Sequence, residues 1–170
     1  LVLVPTRELA LQVADEFASI GPARGVKVAA VYGGTPVVAQ GKRAKDAHVL
    51  VATPGRLQDL AERKLIRLDG IEILVLDEAD RMLDMGFQPQ VDAIVKRLPR
   101  KRQTMFFSAT LDSTVGELAR AYTSNPARRE VAPAIADDGA EVEHRFIPVK
   151  PEEKIAKLAE LLREDRGLAL

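Results

Sequence analysis

The sequence predicts an α/β fold built on a doubly wound, mostly parallel sheet. Two patterns support this prediction: short apolar runs rich in Val, Leu and Ile alternate with segments whose apolar residues recur at three- and four-residue spacing. A short apolar run bounded by polar residues is typical of a strand buried on both faces of a parallel sheet. Regular alternation of such strands with helices requires crossover connections, which place the strands parallel to one another.

Five apolar runs are predicted as the strands of this sheet. They lie at residues 1–4, 26–32, 49–52, 73–76 and 104–107. The helices between and after them are predicted at residues 9–20, 57–63, 89–98 and 114–122. A last short strand is predicted at residues 129–132, and the first domain is expected to cover residues 1–131.

The composition of the chain changes after this first domain. Residues 132–141 are rich in Ala and Asp and offer little apolar surface, which predicts an interdomain linker. Residues 142–149 are predicted as a strand. Residues 151–163 are predicted as an amphipathic helix that starts at a proline and carries Ile155, Leu158 and Leu162 on one face. We therefore expect a second domain to begin at residue 142.

Charge and cysteine content exclude several classes of function. The 25 basic and 25 acidic residues balance, so the chain lacks the strongly basic footprint of many nucleic-acid-binding proteins, although a few phosphate contacts through loops and helix ends stay possible. The absence of cysteine excludes disulfides, thiolate catalysis and zinc–thiolate sites. Since no apolar run approaches the roughly 18 residues of a membrane helix, we expect a cytoplasmic protein with no membrane partner.

Two adjacent carboxylates, Asp77 and Glu78, directly follow the apolar run at residues 73–76. Open α/β sheets bind their ligands at the carboxyl ends of the strands. In phosphoryl-transfer enzymes of the P-loop type, an acid at such a strand end helps to hold Mg²⁺, and a second residue orients the attacking water. The pair therefore predicts a Mg-nucleotide site. The alternative is that these carboxylates cap the N-terminus of a helix.

The acid pair belongs to one of five short motifs, each of which lies at or just past the end of an apolar run. In chain order they are Pro5-Thr6-Arg7-Glu8-Leu9, Gly33-Gly34, Thr53-Pro54-Gly55-Arg56, Asp77-Glu78-Ala79-Asp80 and Ser108-Ala109-Thr110. Together they closely resemble the DEAD-box ATP-dependent RNA helicases, and the resemblance covers essentially the whole chain. It implies a RecA-like fold of the P-loop NTPase type, ATP and Mg²⁺ as cofactors, and RNA as the partner.

On the nucleotide side, the resemblance implies catalytic roles for the acid pair. Asp77 would hold Mg²⁺, usually through water, and Glu78 would be the general base for the attacking water. The resemblance assigns Asp80 and the hydroxyls of Ser108 and Thr110 to the coupling of the ATP state with the RNA state. Considered alone, the Ser-Ala-Thr segment is better explained as a helix cap.

On the RNA side, the family contacts the sugar-phosphate backbone through residues that here are Pro5, Thr6, Arg7, Glu8, Gly34, Thr53, Pro54, Gly55 and Arg56. Glycine allows close backbone approach, helix N-termini offer N–H groups, and arginines form charge-assisted bonds with phosphate. Such contacts position RNA without reading its bases. The alternative is that residues 53–55 form an ordinary turn and that Arg56 is solvated or braces the core.

One part of the family pattern is missing from the chain. The phosphate loop ending in Gly-Lys-Thr, whose backbone N–H groups cradle the nucleotide phosphates, occurs nowhere in the 170 residues. We therefore expect an internal fragment of a longer helicase that lacks the phosphate-loop strand and is inactive by itself. Residues 142–170 would then be the start of the helicase C-terminal domain.

Three functions stay open at the level of the sequence. The first is an ATP-dependent RNA helicase that remodels or locally unwinds RNA duplexes. The second is a non-catalytic RNA- or protein-binding module derived from the helicase fold, which the missing phosphate loop would require if Leu1 were near the true start. The third is a related motor that acts on DNA, and the wording of the motifs at residues 5–9 and 77–80 argues against it.

Overall fold

The computed structural model describes residues 1–110, 113–131 and 146–164. The chain divides into two compact units, Leu1–Arg128 and Arg129–Leu170. The first unit carries the sheet, its helices and all five motifs. The predicted linker at residues 132–141 lies outside the described residues, so the domain boundaries stay a prediction.

The sheet of the first unit consists of five parallel strands. They are β1 (Val2–Leu3), β2 (Val28–Val31), β3 (Val49–Ala52), β4 (Ile73–Leu76) and β5 (Gln103–Phe106). Their order across the sheet is β2-β3-β1-β4-β5. The chain thus builds β2 and β3 on one side of β1 and then β4 and β5 on the other side. The predicted doubly wound parallel sheet is confirmed.

Six helices connect or follow these strands. They are α1 (Arg7–Ile20), α2 (Val37–Lys45), α3 (Pro54–Glu62), α4 (Ala79–Asp84), α5 (Gln88–Val95) and α6 (Ser113–Tyr122). Helix α1 begins at Arg7 because Thr6 is extended and its Oγ1 accepts a hydrogen bond from the Leu9 N–H at 3.2 Å. Helix α3 begins at Pro54, whose fixed φ suits the first helical position. Helices α2 and α4 were not predicted.

The central strands bury side chains on both faces of the sheet. On one face, Leu3, Leu74 and Leu76 pack in a cluster that includes residues of α3 and α5. On the other face, Val2 and Val51 pack against α1. Full burial of a leucine or valine side chain contributes about 1.5–3 kcal/mol. This two-sided core holds the strand ends, and hence the motifs that follow them, in fixed positions.

Two strand predictions near the second unit are wrong for the residues that the structure describes. Residues 129–131 form no strand, and Val131 is 95% exposed. Residues 146–149 form no strand either, and Phe146 is 91% exposed. Their β-branched and aromatic side chains favour extended structure, but these residues join no strand of the described sheet.

The second unit contains one described helix, α7 (Lys154–Glu164), preceded by a single 3₁₀ turn at Pro151–Glu153. The helix predicted at residues 151–163 is thereby confirmed. The apolar residues of its predicted face, Ile155, Leu158 and Leu162, are all exposed. Among the helices that the structure describes, none is long and apolar enough to cross a membrane.

Candidate functional site

The five motifs all follow the carboxyl ends of strands, and parallel pairing brings these ends to one edge of the sheet. Strand order divides them into two groups. Residues 77–80 and 108–110, which follow β4 and β5, are called the acid group here. Residues 5–8, 34 and 53–56, which follow β1, β2 and β3, are called the arginine group. Strand β1 lies between β3 and β4 and therefore adjoins both groups.

The backbone of the acid group changes direction sharply at Glu78. The Asp77 N–H still donates to the Leu3 carbonyl at 3.0 Å, as in a continuing strand. Glu78 then adopts a left-handed conformation with φ 49° and ψ 52°, and helix α4 begins at Ala79. This conformation costs a residue with a Cβ about 1–2 kcal/mol, and such strained positions cluster at functional sites. The surrounding structure therefore holds Glu78 in place.

Asp77 and Glu78 present carboxylates with different partners. One oxygen of Asp77, Oδ1, accepts the Glu78 N–H at 3.0 Å. The Glu78 Oε2 lies 3.2 Å from the Arg81 guanidinium, and the Glu78 side chain is 40% exposed. Exposed ion pairs of this kind contribute about 0–1 kcal/mol, so the Glu78 carboxylate can readily exchange Arg81 for another partner.

Asp80 links the two segments of the acid group. Its Oδ2 accepts hydrogen bonds from the Thr110 N–H at 3.1 Å and the Thr110 hydroxyl at 3.3 Å, and its Oδ1 accepts the Arg81 N–H at 3.0 Å. Burial alone would raise the pKa of Asp80, but these bonds and the Ser108 hydroxyl outweigh it and lower the pKa below its ordinary value. The structure therefore brings Asp80, Ser108 and Thr110 together.

The hydroxyl of Ser108 also serves helix α4. The Asp80 N–H, in the first turn of α4, donates to the Ser108 Oγ at 3.3 Å, and the Ala79 N–H donates to the Phe107 carbonyl at 3.1 Å. Both N–H groups belong to the helix start, where no intrahelical acceptor exists. Ser108 therefore does act as a helix cap, as the sequence alternative proposed. The helix that it caps is α4, which begins about thirty residues earlier in the chain.

An open cavity of about 560 Å³ lies between the ends of β4 and β5 and is lined by Asp77, Glu78, Asp80, Arg81, Asp84, Phe107, Ser108 and Ala109. Among the described residues there is no group of three or more His, Cys, Asp or Glu side chains that could hold a metal by themselves. Mg²⁺ needs only one or two carboxylates because it keeps several waters and takes further oxygens from substrate phosphates. The Asp77 carboxylate in this cavity fits that requirement.

In the arginine group, Arg7 and Gly34 lie next to each other. The Arg7 guanidinium sits over the ring of Tyr32, 4.9 Å from its centroid, and the Arg7 residue is exposed. Gly34 has a φ of 82°, which favours glycine, and a Cβ at this position would lie 3.7 Å from an Arg7 nitrogen. An exposed cation beside an open backbone segment is suited to a phosphate.

Arg56 has a different environment. Its Nη1 donates to the Thr35 carbonyl at 2.9 Å, to the Thr35 hydroxyl at 3.3 Å and to the Gln40 Oε1 at 2.9 Å. The Arg56 side chain is only 12% exposed, and Gln40 is buried. These contacts match the alternative of a bracing arginine, since they tie α3 to the loop after Gly34. Contact between Arg56 and RNA stays a prediction.

The remaining residues of the arginine group occupy the starts of two helices. Thr6 and Glu8 belong to the start of α1, and Pro5 is buried next to them. The Thr53 N–H donates to the Val31 carbonyl at 2.9 Å, which fixes the start of α3 against β2. Sequence reasoning missed Thr35 and Gln40, which hold Arg56. The sequence carried no clear signal for these two residues, because Gln40 lies buried in helix α2, and that helix was not predicted.

Comparison with known proteins identifies the family. The family model described as DEAD/DEAH box helicase matches residues 1–118. The chain belongs to the DEAD/DEAH box helicase family. The DEAD-box resemblance drawn from the five motifs is thereby confirmed.

Curated members of the DEAD/DEAH box helicase family are similar over nearly the whole chain. The DEAD-box ATP-dependent RNA helicase CshA of Streptococcus pneumoniae is 42% identical over 163 residues, covering 95% of this chain and 31% of that protein. The ATP-dependent RNA helicase DbpA of Bacillus subtilis is 43% identical over 163 residues, covering 95% of this chain and 34% of that protein. The chain thus spans about a third of the length of these relatives.

A solved structure of the family supports the fold. The crystal structure of a DEAD box protein from the hyperthermophile Methanococcus jannaschii matches with a TM-score of 0.73 at 35% identity, covering 95% of this chain and 43% of that chain. The 35% identity shows that the two proteins are similar in sequence as well as in fold. The five-stranded parallel sheet is therefore that of a DEAD-box RecA-like domain.

Proposed function

We propose that the protein containing this chain is an ATP-dependent RNA helicase that hydrolyses ATP to remodel or locally unwind RNA duplexes. The observation that carries the proposal is the meeting of the acid group and the arginine group at one edge of the sheet, on either side of β1. One group offers oxygen ligands and a base, and the other offers an exposed cation and helix N-termini. The names of the similar proteins CshA and DbpA describe ATP-dependent RNA helicases and support the same function.

In the proposed reaction, a phosphoryl group is transferred to water, and Asp77 and Glu78 have separate roles in this step. Mg²⁺, when bound with the nucleotide, neutralises charge that develops on the phosphate oxygens. Asp77, whose N–H is bonded to the Leu3 carbonyl, would hold the metal with the oxygen that does not accept the Glu78 N–H. Glu78 exchanges Arg81 for the attacking water and accepts its proton.

On the RNA side, Arg7, the N–H groups at the starts of α1 and α3, and the backbone at Gly34 would contact the sugar-phosphate backbone. All of these groups suit phosphate, and they would bind RNA independently of base sequence. Arg56 would support this surface by holding the loop that follows Gly34. A cytoplasmic location is part of the same proposal.

Asp80 would couple the two ligands because its hydrogen bonds join the loop that carries the base to Ser108 and Thr110. A shift of Glu78 on release of phosphate would pull on Asp80 two residues later and alter its bonds to Thr110. The segment at residues 108–110 would thus report the state of the nucleotide to the rest of the molecule. The coupling proposal rests on these bonds alone.

The decisive experiment replaces Glu78 with glutamine in the helicase that contains this chain. Glu78→Gln keeps the size of the side chain and removes the base, so RNA-stimulated ATP hydrolysis should fall by about 10²–10⁴. Binding of a fluorescent ATP analogue with Mg²⁺ should persist. Asp84→Asn, which changes another carboxylate lining the same cavity, is the matched control and should keep the normal rate.

The opposite result would remove Glu78 from the chemistry. If Glu78→Gln and Asp84→Asn hydrolysed ATP at the same rate as the unaltered protein, Glu78 would be only a helix-start carboxylate. If the unaltered protein itself showed no ATP hydrolysis in the presence of RNA, the non-catalytic binding module would replace the helicase proposal.

A further inference from the structure

A groove runs along helix α2 to the turn where strand β3 begins. It is formed by α2, the turn before β3 and the loop between α3 and β4, and its volume is about 840 Å³. Volumes of about 300–1,000 Å³ are usual for binding clefts. The residues that line it include none from the acid group or the arginine group. The proposed helicase reaction therefore leaves this groove without a function.

The charged residues that line the groove are all basic. They are Lys42, Lys45, Lys64 and Arg67, and His48 lies beside them. Arg67 is paired with Asp69, which offsets its charge. Within the described parts of the chain, no carboxylate lies at ion-pair distance from the other three cations, the lysines. In a chain whose net charge is zero, this groove is a local concentration of uncompensated positive charge.

The floor of the groove is aliphatic. Leu50 and Ile66 are buried beneath it, and Leu65 is partly buried on its wall. Helix α2 approaches this wall closely at Gly41, where a Cβ would lie only 3.0 Å from the Leu65 Cβ. Val38 is 58% exposed at the rim of the groove. The groove thus combines an apolar floor with a cationic rim.

We propose that this groove binds an acidic segment of a partner protein that inserts an aliphatic side chain such as leucine. The lysines would pair with the carboxylates of the segment, and the leucine would cover the floor between Val38 and Leu65. Complementary charge at the rim speeds association and selects the partner, while the buried apolar anchor supplies affinity. His48, whose Nδ1 accepts the Lys27 N–H at 3.0 Å, presents its other ring nitrogen for a hydrogen bond.

The lining favours a peptide over RNA. Proteins that bind single-stranded nucleic acid stack the bases on aromatic side chains, and no aromatic residue other than His48 lines this groove. Arginine forks match phosphate best, and the one arginine here is already paired with Asp69. An aliphatic floor, in contrast, offers nothing to a phosphate backbone and suits a leucine side chain.

The test is a fluorescence-anisotropy titration of the protein with a short labelled peptide that alternates Glu and Leu. A peptide that alternates Gln and Leu tests the need for charge, one that alternates Glu and Ser tests the need for the apolar anchor, and a labelled oligouridine tests RNA. We expect saturable binding of the Glu-Leu peptide and not of the other two peptides, and oligouridine, which the arginine group would bind, should not displace the Glu-Leu peptide. Equal binding of the Gln-Leu or the Glu-Ser peptide would overturn the proposal, as would no binding of the Glu-Leu peptide.

Protein variants locate the binding. The double variant Lys42→Glu with Lys64→Glu should weaken binding of the Glu-Leu peptide by about ten-fold or more, because two attractions become repulsions. The matched control, Lys96→Glu with Lys101→Glu, makes the same charge change at exposed lysines outside the groove. Val38→Ser should weaken binding without a charge change. All of these residues are exposed, and unchanged thermal unfolding verifies that the variants fold.

Two further outcomes would overturn the proposal. If the control pair weakened binding as much as the groove pair, the attraction would be a general effect of charge. If oligouridine displaced the peptide and lost affinity in Lys42→Glu with Lys64→Glu, the groove would be a second nucleic-acid surface.

Discussion

Replacement of Asp80 with asparagine tests the link between the two segments of the acid group. The Asp80 carboxylate accepts hydrogen bonds on both oxygens, from the Arg81 N–H on Oδ1 and from two Thr110 donors on Oδ2. Asparagine has one acceptor oxygen, and its NH₂ group must face donors on the other side. In one orientation the amide loses the bonds from Thr110, and in the other it loses the bond from the Arg81 N–H.

The expected cost follows from these bonds. A hydrogen bond to a charged acceptor contributes about 1.5–3 kcal/mol, and the partial exposure of Asp80 places it at the lower end, about 1.5 kcal/mol. For a chain of this length, about 1 kcal/mol lowers Tm by about 2–4 °C, so Asp80→Asn should lower it by about 3–6 °C. Urea unfolding followed by circular dichroism measures the same loss as a lower midpoint at unchanged slope.

The pH dependence of this loss provides a second, independent measurement. Because hydrogen bonds lower the pKa of Asp80 in the folded state, their stabilisation is present above the unfolded pKa of about 3.9 and disappears as the pH falls through the folded pKa. Asparagine does not titrate. The difference in unfolding free energy between the unaltered protein and Asp80→Asn should therefore be constant near neutral pH and shrink below about pH 4.

The matched control is Asp84→Asn, since Asp84 lines the same cavity and its side chain makes no hydrogen bond or ion pair with the described part of the chain. It should leave the unfolding midpoint nearly unchanged. Equal midpoints for Asp80→Asn and Asp84→Asn would show that the charge-assisted bonds of the Asp80 carboxylate to Arg81 and Thr110 contribute nothing to the folded state, and the coupling proposal would then lose its structural basis.

The two arginines of the arginine group should respond differently to removal. In the intact helicase, Arg7→Ala should reduce the slope of log affinity against log salt for single-stranded RNA by about 0.7 and weaken unrelated sequences equally, whereas Lys101→Ala should not; a sequence-dependent loss would mean that Arg7 contacts a base. Arg56→Ala should lower the unfolding free energy by about 2 kcal/mol, since it leaves buried Gln40 without its donor. Normal stability together with a flatter salt slope would instead assign Arg56 to RNA.

Much of the sheet was predictable because its strands are apolar on both faces. The predicted bounds of β3 and β4 match the structure, and β5 is displaced by one residue, since Gln103 joins the ladder and Phe107 leaves it. Backbone hydrogen bonds form whatever the side chain is, and they determine at which residue the strand begins and ends. Helix α2 escaped prediction because Gly41 interrupts its pattern, and the reason for this glycine is a tertiary contact with Leu65.

The motifs predict roles for the site residues, and these roles stay predictions, but the motifs did not predict the contacts of these residues. The partners of Arg56 lie 16 and 21 residues away, so nothing local shows that its guanidinium is engaged. The left-handed backbone of Glu78 was equally hidden, because that conformation is usually signalled by glycine or asparagine. Both features are imposed by neighbouring elements that the local sequence does not reveal.

The backbone N–H groups of Asp77 and Glu78 have different hydrogen-bond partners and therefore differ in how easily they can open to solvent. The Asp77 N–H is bonded to the Leu3 carbonyl of the central strand, so its exchange with solvent requires the centre of the sheet to open. The next amide, of Glu78, is bonded only to the Asp77 side chain and can open by a local fluctuation. We therefore expect the Asp77 amide to exchange slowly and the neighbouring Glu78 amide to exchange rapidly. In the proposed reaction, the carboxylate that would hold the metal therefore lies next to one whose backbone amide can open locally.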